Sequence, residues 1–201
     1  MQIVDEPVKI KYYLQQGWNL ISFPVMPNTD NIYNLIPCLE KAVFWCPYSE
    51  KYYELGSSDL RYSAKIGRGI WVKVYVDSEF EFTGEPILSR TLNLARGWNL
   101  IGGTYQTSSI HDQNNIIISI FGWNWFDWYY PTNWIYQKQA VWVYSLEYGM
   151  VSLGQYPPGQ ARSLGKGCGS YPPPPPWEME STSVDKNNST PIAVSYTHLR
   201  A

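Results

Sequence analysis

Charge is scarce in this chain. Asp, Glu, Lys and Arg make up 16% of its 201 residues, against roughly a quarter in an ordinary domain. The formal charge is −2 and the pI about 5.7. No surplus of cations is available to neutralise phosphates, which excludes nucleic acid as the expected partner. Long apolar runs are missing too. Nothing approaches the stretch of about 18 residues that a membrane-spanning helix needs. Met1 to Pro7 carry no apolar core segment, so no signal peptide is read there.

Cysteine is equally sparse. Cys38, Cys46 and Cys168 form an odd set, with no Cys-x-x-Cys pair and no Cys/His group at zinc spacing, so no metal is expected. Cys38 and Cys46 could bridge if the chain doubles back between them, or remain two buried thiols. Histidine offers little more. His111 lies in the polar stretch Ser108–Asp112, without a Gly-x-Ser-x-Gly or His-Glu-x-x-His pattern, and reads as a solvated side chain. No phosphate loop is present. Glu79 and Glu81 alternate on one strand face, with Asp77 and Glu85 nearby. Glycoside hydrolysis needs facing carboxylates about 5 to 9 Å apart across a cleft. Two acids on one face are the mark of a solvated edge. No catalytic residue and no cofactor emerges, and the chain reads as a non-enzyme.

What is present is rings and repetition. Ten Trp, 17 Tyr and 6 Phe give 16% aromatics. Leu14-Gln-Gln-Gly17-Trp18-Asn19-Leu20-Ile21 returns as Leu94-Ala-Arg-Gly97-Trp98-Asn99-Leu100-Ile101, 80 positions on. Gly69-Ile70-Trp71-Val72 returns as Ala140-Val141-Trp142-Val143, 71 positions on. Between these blocks, aligning Tyr48–Tyr52 with Tyr130–Trp134 gives an offset of 82 and implies an insert of about eleven residues near Gly56–Ile66 in the first copy.

Each copy reads as strands. Lys11–Leu14, Trp18–Phe23, Val43–Tyr48, Tyr52–Leu55 and Ile70–Val76 are apolar or β-branched runs bounded by turn residues. Glu79-Phe80-Glu81-Phe82 alternates with period two. One or two helical turns are expected after Thr29 or Asp30, carried by Ile32, Leu35, Ile36 and Leu39 and interrupted by Pro37. The counterpart, Ile110–Phe121, is β-branched and fits either state.

The expected organisation is a mainly β fold with three segments. Residues 1–89 form one small β-rich repeat with a short helix, and residues 90–155 form a second. Residues 156–201 form a disordered Pro/Gly-rich linker or tail. Almost no linker separates the copies, and each, at roughly 65 to 80 residues, is marginal for a core of its own. They are therefore expected to pack face to face, like a β-sandwich, and share apolar surface. After Tyr156 the run Pro172–Pro176 favours an extended polyproline helix. Overlapping sequons at Asn187 and Asn188 fit a solvated segment. Val194–Ala201 resembles a sequencing-library adaptor translated in frame, so His198 and Arg200 carry no functional argument.

Gly17, Trp18, Asn19, Leu20, Ile21, Ser22 and Pro24, followed by Gly69, Trp71 and Val72, resemble a module repeated in large secreted and cell-surface proteins of bacteria and archaea. That module reads GWNLIS-x-P and then a Gly-Tyr-Trp-Val strand. The second copy departs from it at Gly102-Gly103 and at Ala140. The resemblance covers residues 9 to 155 and implies an extracellular, non-catalytic β module whose partners are neighbouring domains of a longer protein.

Residue by residue, Gly17 and Gly97 suit turns with positive φ. Trp18, Trp98, Trp71 and Trp142 recur and read as core. Asn19 and Asn99 should each hydrogen-bond a neighbouring turn. The stretch Gly122–Tyr130 holds the candidate ligand site. With the offset of 82, Phe126, Trp128 and Tyr130 face the core. Trp123, Trp125 and Tyr129 are then rings peculiar to the second copy. With Asp127 between them, and Trp134 extending the row, they could stack on the sugar rings of a polysaccharide. The competing reading packs that face against the other copy.

Overall fold

The structure is a computed structural model that describes residues 6–124, 128–155 and 171–181. It is mainly β, as the residue patterns require. The first repeat contains β1 (Val8–Leu14), β2 (Gly17–Ser22), β3 (Val25–Met26), α1 (Ile32–Leu35), β4 (Leu39–Cys46), β5 (Lys51–Glu54), α2 (Leu60–Lys65), β6 (Gly69–Val74) and β7 (Ser78–Pro86). The second contains β8 (Arg90–Leu94), β9 (Gly97–Gly102), β10 (Ser109–His111), β11 (Ile117–Asn124), β12 (Trp128–Pro131), β13 (Ala140–Ser145) and β14 (Gly149–Gly154). A last helix, α3, spans Pro176–Ser181.

The two repeats share one topology. Each pairs its strands antiparallel into a three-stranded and a four-stranded sheet: β1-β7-β3 with β2-β6-β4-β5, then β10-β14-β8 with β12-β11-β13-β9. Apolar side chains fill three cores. Tyr12, Phe23, Phe80 and Phe82 join Ile21, Ile70 and Val72 between the sheets of the first repeat. Leu92, Leu94, Val151 and Leu153 join Ile101, Val141 and Val143 between those of the second. The outer faces of the two four-stranded sheets meet in a third core of Trp18, Val43, Trp45, Trp71, Leu100, Ala140 and Trp142. The stack therefore has four layers. Its two middle sheets are buried on both faces, which is why β6 and β13 read as unbroken apolar runs rather than alternating ones.

Local chemistry explains the repeated signature. Gly17 and Gly97 take φ of 95° and 91°, a region closed to most side chains. The Asn two residues on then closes the turn. Asn19 Oδ1 accepts from Gln15 N–H, and its Nδ2 donates to the carbonyls of Gln15 and Gly17. Asn99 repeats all three bonds with Ala95 and Gly97.

Several expectations need correction. The cap of α1 is Asn31, whose side chain accepts from Tyr33 N–H, rather than Thr29 or Asp30. The ambiguous stretch Ile110–Phe121 is two strand segments, the end of β10 and the first part of β11, joined by a turn at residues 112–116. The middle offset is 78, not 82. Strands β4 and β11 carry the same bulge, after Leu39 and after Ile117, and this bulge aligns Trp45 with Trp123. Tyr52 opposite Trp45 then matches Tyr129 opposite Trp123. The insert in the first copy is correspondingly shorter than eleven residues, and it contains α2. Of the two readings open for Cys38 and Cys46, the structure takes the unbridged one: both are free, Cys38 buried and Cys46 partly so. Residues 171–181, expected in an unpacked tail, lie on the folded body with Pro172, Pro175 and Pro176 buried. The adaptor-like residues and both sequons fall outside the described residues.

Candidate functional site

The seam between the four-stranded sheets is built by like residues of both repeats. Backbone groups tie them reciprocally: Ser22 N–H donates to Lys138 O at 2.8 Å, and Gly102 N–H donates to Gly67 O at 2.7 Å. Gly67 and Lys138 are equivalent positions with φ of 72° and 70°. Around this pseudo-twofold axis, equivalent positions touch each other. A Cβ on Gly69 would meet that of Ala140 at 2.5 Å, and a Cβ on Gly102 would meet that of Ser22 at 2.5 Å. The second copy's departures at Gly102 and Ala140 follow from this. Only one member of each touching pair has room for a side chain. Trp45 Nε1 donates to Trp98 O across the seam at 2.8 Å.

The seam is also where the sequence-predicted ligand residues fall. Trp123 and Tyr129 are cross-strand neighbours on β11 and β12 and are partly buried against the third core. They are not additions of the second copy, because Trp45 and Tyr52 occupy the same places in the first. Trp128, expected as core, is 49% exposed at φ 61°. Gly122–Tyr130 is not one strand: Trp123 lies on β11, and Trp128 opens β12 opposite Asn124. Val43 and Trp45 alternate with Ala42 and Phe44, and the odd positions point into the seam. Trp134 stands apart in the turn after β12, where its N–H donates to Thr132 Oγ1. Trp125 and Asp127 lie outside the described residues, as does the other ring of that set, Phe126.

Sequence reasoning missed what covers the seam. Residues 171–178 cross it from one repeat to the other. Tyr171 packs on Phe121 at 6.2 Å. Tyr129 Oη donates to Pro173 O at 2.6 Å, and Tyr52 Oη donates to Pro174 O at 3.1 Å. Trp177 then settles among Trp18, Trp71 and Trp123, with ring centroids at 6.0, 5.4 and 6.1 Å. Burial pushes both phenols well above their ordinary range; Glu178 pushes the same way in each. Indole groups oppose that rise, Trp71 at Tyr52 and Trp142 at Tyr129. The ring surplus and the five-proline run were the available signals, but nothing in one dimension says that they meet.

Beside the seam opens a cleft of about 830 Å³ whose lining includes Tyr13, Gln15, Glu79, Trp123, Asn124 and Gln137. Tyr13 is exposed. Among the acids singled out earlier, Glu79 pairs with Lys11 and Glu81 with Lys9 on the open face of β1 and β7. Asp77 accepts from Gln16 N–H. Asp77 and Glu79 both line the cleft, the first tied to the Gln16 turn and the second to Lys11. Among the described residues no group of three or more His, Cys, Asp or Glu could hold a metal ion, and no helix is long and apolar enough to cross a membrane.

No family model matches this chain, and comparison with curated proteins and with solved structures finds no match.

Proposed function

We propose that this chain is a non-catalytic structural or protein-interaction module of a larger secreted or cell-surface protein. The observation that carries this reading is the disposition of the recurrent tryptophans. Trp18, Trp45, Trp71 and Trp142 are spent on the contact between repeats. The strip of rings left beside them is covered by a peptide segment of the same chain. A ring platform kept for soluble sugars would instead stand open to water. The extracellular setting and the neighbouring domains rest on the Gly-Trp-Asn-Leu-Ile resemblance.

The alternative is carbohydrate binding. It draws support from the cleft, where Tyr13 and Trp123 offer ring faces beside the amides of Gln15, Asn124 and Gln137. Rings plus amides are the usual means of gripping sugar C–H and O–H groups.

Pull-down of the full chain on a panel of insoluble polysaccharides separates the two. The structural reading expects no retention on any polymer, together with weak acrylamide quenching of tryptophan fluorescence. Retention that is lost in Trp123→Ala or Trp125→Ala, with the fold intact, would replace it with the carbohydrate reading.

A further inference from the structure

Proline offers a binding partner no N–H, so a polyproline segment can be recognised only through its carbonyls and its ring faces. A site for it needs hydroxyl or indole donors and flat aromatic walls. The seam supplies both. Its two donors, Tyr52 and Tyr129, are equivalent residues of the two repeats, and they take consecutive carbonyls, Pro174 and Pro173. Pro172 and Pro175 are buried while Pro174 between them is exposed. That spacing of three is the period of a polyproline helix lying on one face. Tyr171 and Trp177 anchor the two ends on rings.

We propose that the seam is a binding site for a proline-rich, tryptophan-ended peptide, which the chain fills with its own residues 171–178 and which accepts the same segment from a second copy. The proposal rests on the interaction-module reading and names its partner. Three observations favour exchange over permanent closure. The segment is separated from the last described residue of the second repeat, Gln155, by residues 156–170, a length of fifteen residues. Its backbone bond from Glu178 N–H runs to Pro175 O, inside the segment itself, rather than into a sheet of the body. Its grip includes two side-chain hydrogen bonds and ring contacts, which another copy of the segment can equally make. Because it belongs to the same chain, the resident segment binds intramolecularly. The resident therefore outcompetes a visitor until it is weakened.

Two full-length variants make this testable. Trp177→Ala keeps the site and weakens the resident segment. Tyr52→Phe/Tyr129→Phe keeps the segment and removes both donors. The probe is a fluorescein-labelled peptide of residues 169–181, followed by anisotropy. The expected result is at least tenfold tighter binding to Trp177→Ala than to the unaltered chain, and at least a tenfold loss when the two Tyr→Phe changes are added to it. In sedimentation, a mixture of the Trp177→Ala and Tyr52→Phe/Tyr129→Phe chains should form a dimer that neither forms alone. A folded Trp177→Ala chain that ignores the peptide, or binds it equally without the two hydroxyls, would overturn the site. Peptide binding without the mixed dimer would overturn exchange between copies. If Trp177→Ala fails to fold, the unaltered chain cleaved at a protease site placed within residues 160–165 replaces it. That cleaved chain must trade its segment for labelled peptide, and failure to do so overturns the proposal. Retention on a polysaccharide would sink the module reading without touching these measurements, so the two failures are distinguishable.

Discussion

Two asparagines with the same three hydrogen bonds sit in different surroundings. Asn99 is buried at 4% exposure, and the Ala95 groups it serves are buried with it. Asn19 serves the open Gln15. An unmade bond costs most where water cannot replace the lost partner. Asn99→Ala should therefore cost about 2–3 kcal/mol and Asn19→Ala about 1 kcal/mol or less, read from urea unfolding midpoints at constant slope. Gly69 supplies a second case. Its missing Cβ makes room for Ala140 and Leu100, so Gly69→Ala should cost about 1–3 kcal/mol by overpacking. Adding Ala140→Gly should recover most of that loss, and a double-mutant cycle that finds the two changes additive would refute the contact. The Asn role and the positive φ of Gly17 and Gly97 were legible in the sequence, because a turn's needs are met within five residues. The reason for Ala140 and Gly102 was not, because their neighbours belong to the other repeat.

At the level of elements, the strands were readable from their apolar runs, but the alignment of β11 slipped from 78 to 82. Matching one tyrosine to another chose the wrong register, and a slip of four keeps side-chain parity, so nothing in the pattern objected. The choice of core face failed for a different reason. Strands β4 and β11 bury both faces, against different layers, and hydropathy cannot say which is which. The proline segment failed for a third. Such a composition folds nothing alone, and the aromatic strip that receives it exists only once two sheets have met. The segment leaves a signature in alkali. Burial raises the phenols of Tyr12, Tyr52 and Tyr129 in the folded state, while the unfolded chain ionises its tyrosines near pH 10. The stabilisation is complete below about pH 10 and is lost as pH climbs beyond it. Tyr52→Phe/Tyr129→Phe should show a shallower fall of unfolding free energy between about pH 9 and 11. An unchanged slope would mean that the two hydroxyls are not buried under residues 173 and 174.

For the molecule as a whole, the third core decides cooperativity. The repeats bury different interiors, one rich in rings and the other aliphatic. Yet they share a layer of tryptophans, including Trp71 and Trp142 at 0% exposure. Neither half can melt without opening that layer to water. Heat unfolding should therefore be one transition, with equal calorimetric and van't Hoff enthalpies. Trp71→Ala, a loss of about 3–5 kcal/mol, should lower the midpoint without splitting the peak. Two resolved transitions would show that the halves are independent.

The pairs that meet at the axis carry a further consequence, one of heredity. Were the repeat a lone gene product forming a homodimer, each axial position would face its own copy. Residue 69 and residue 22 would then both need to be glycine-sized, or both would clash. Joining two copies in one reading frame removes that constraint. Serine can stand against glycine, and glycine against alanine, because the two codons now mutate separately. Among descendants of such a fusion, positions 22 with 102 and 69 with 140 should change as compensating pairs, small on one side wherever the other has grown.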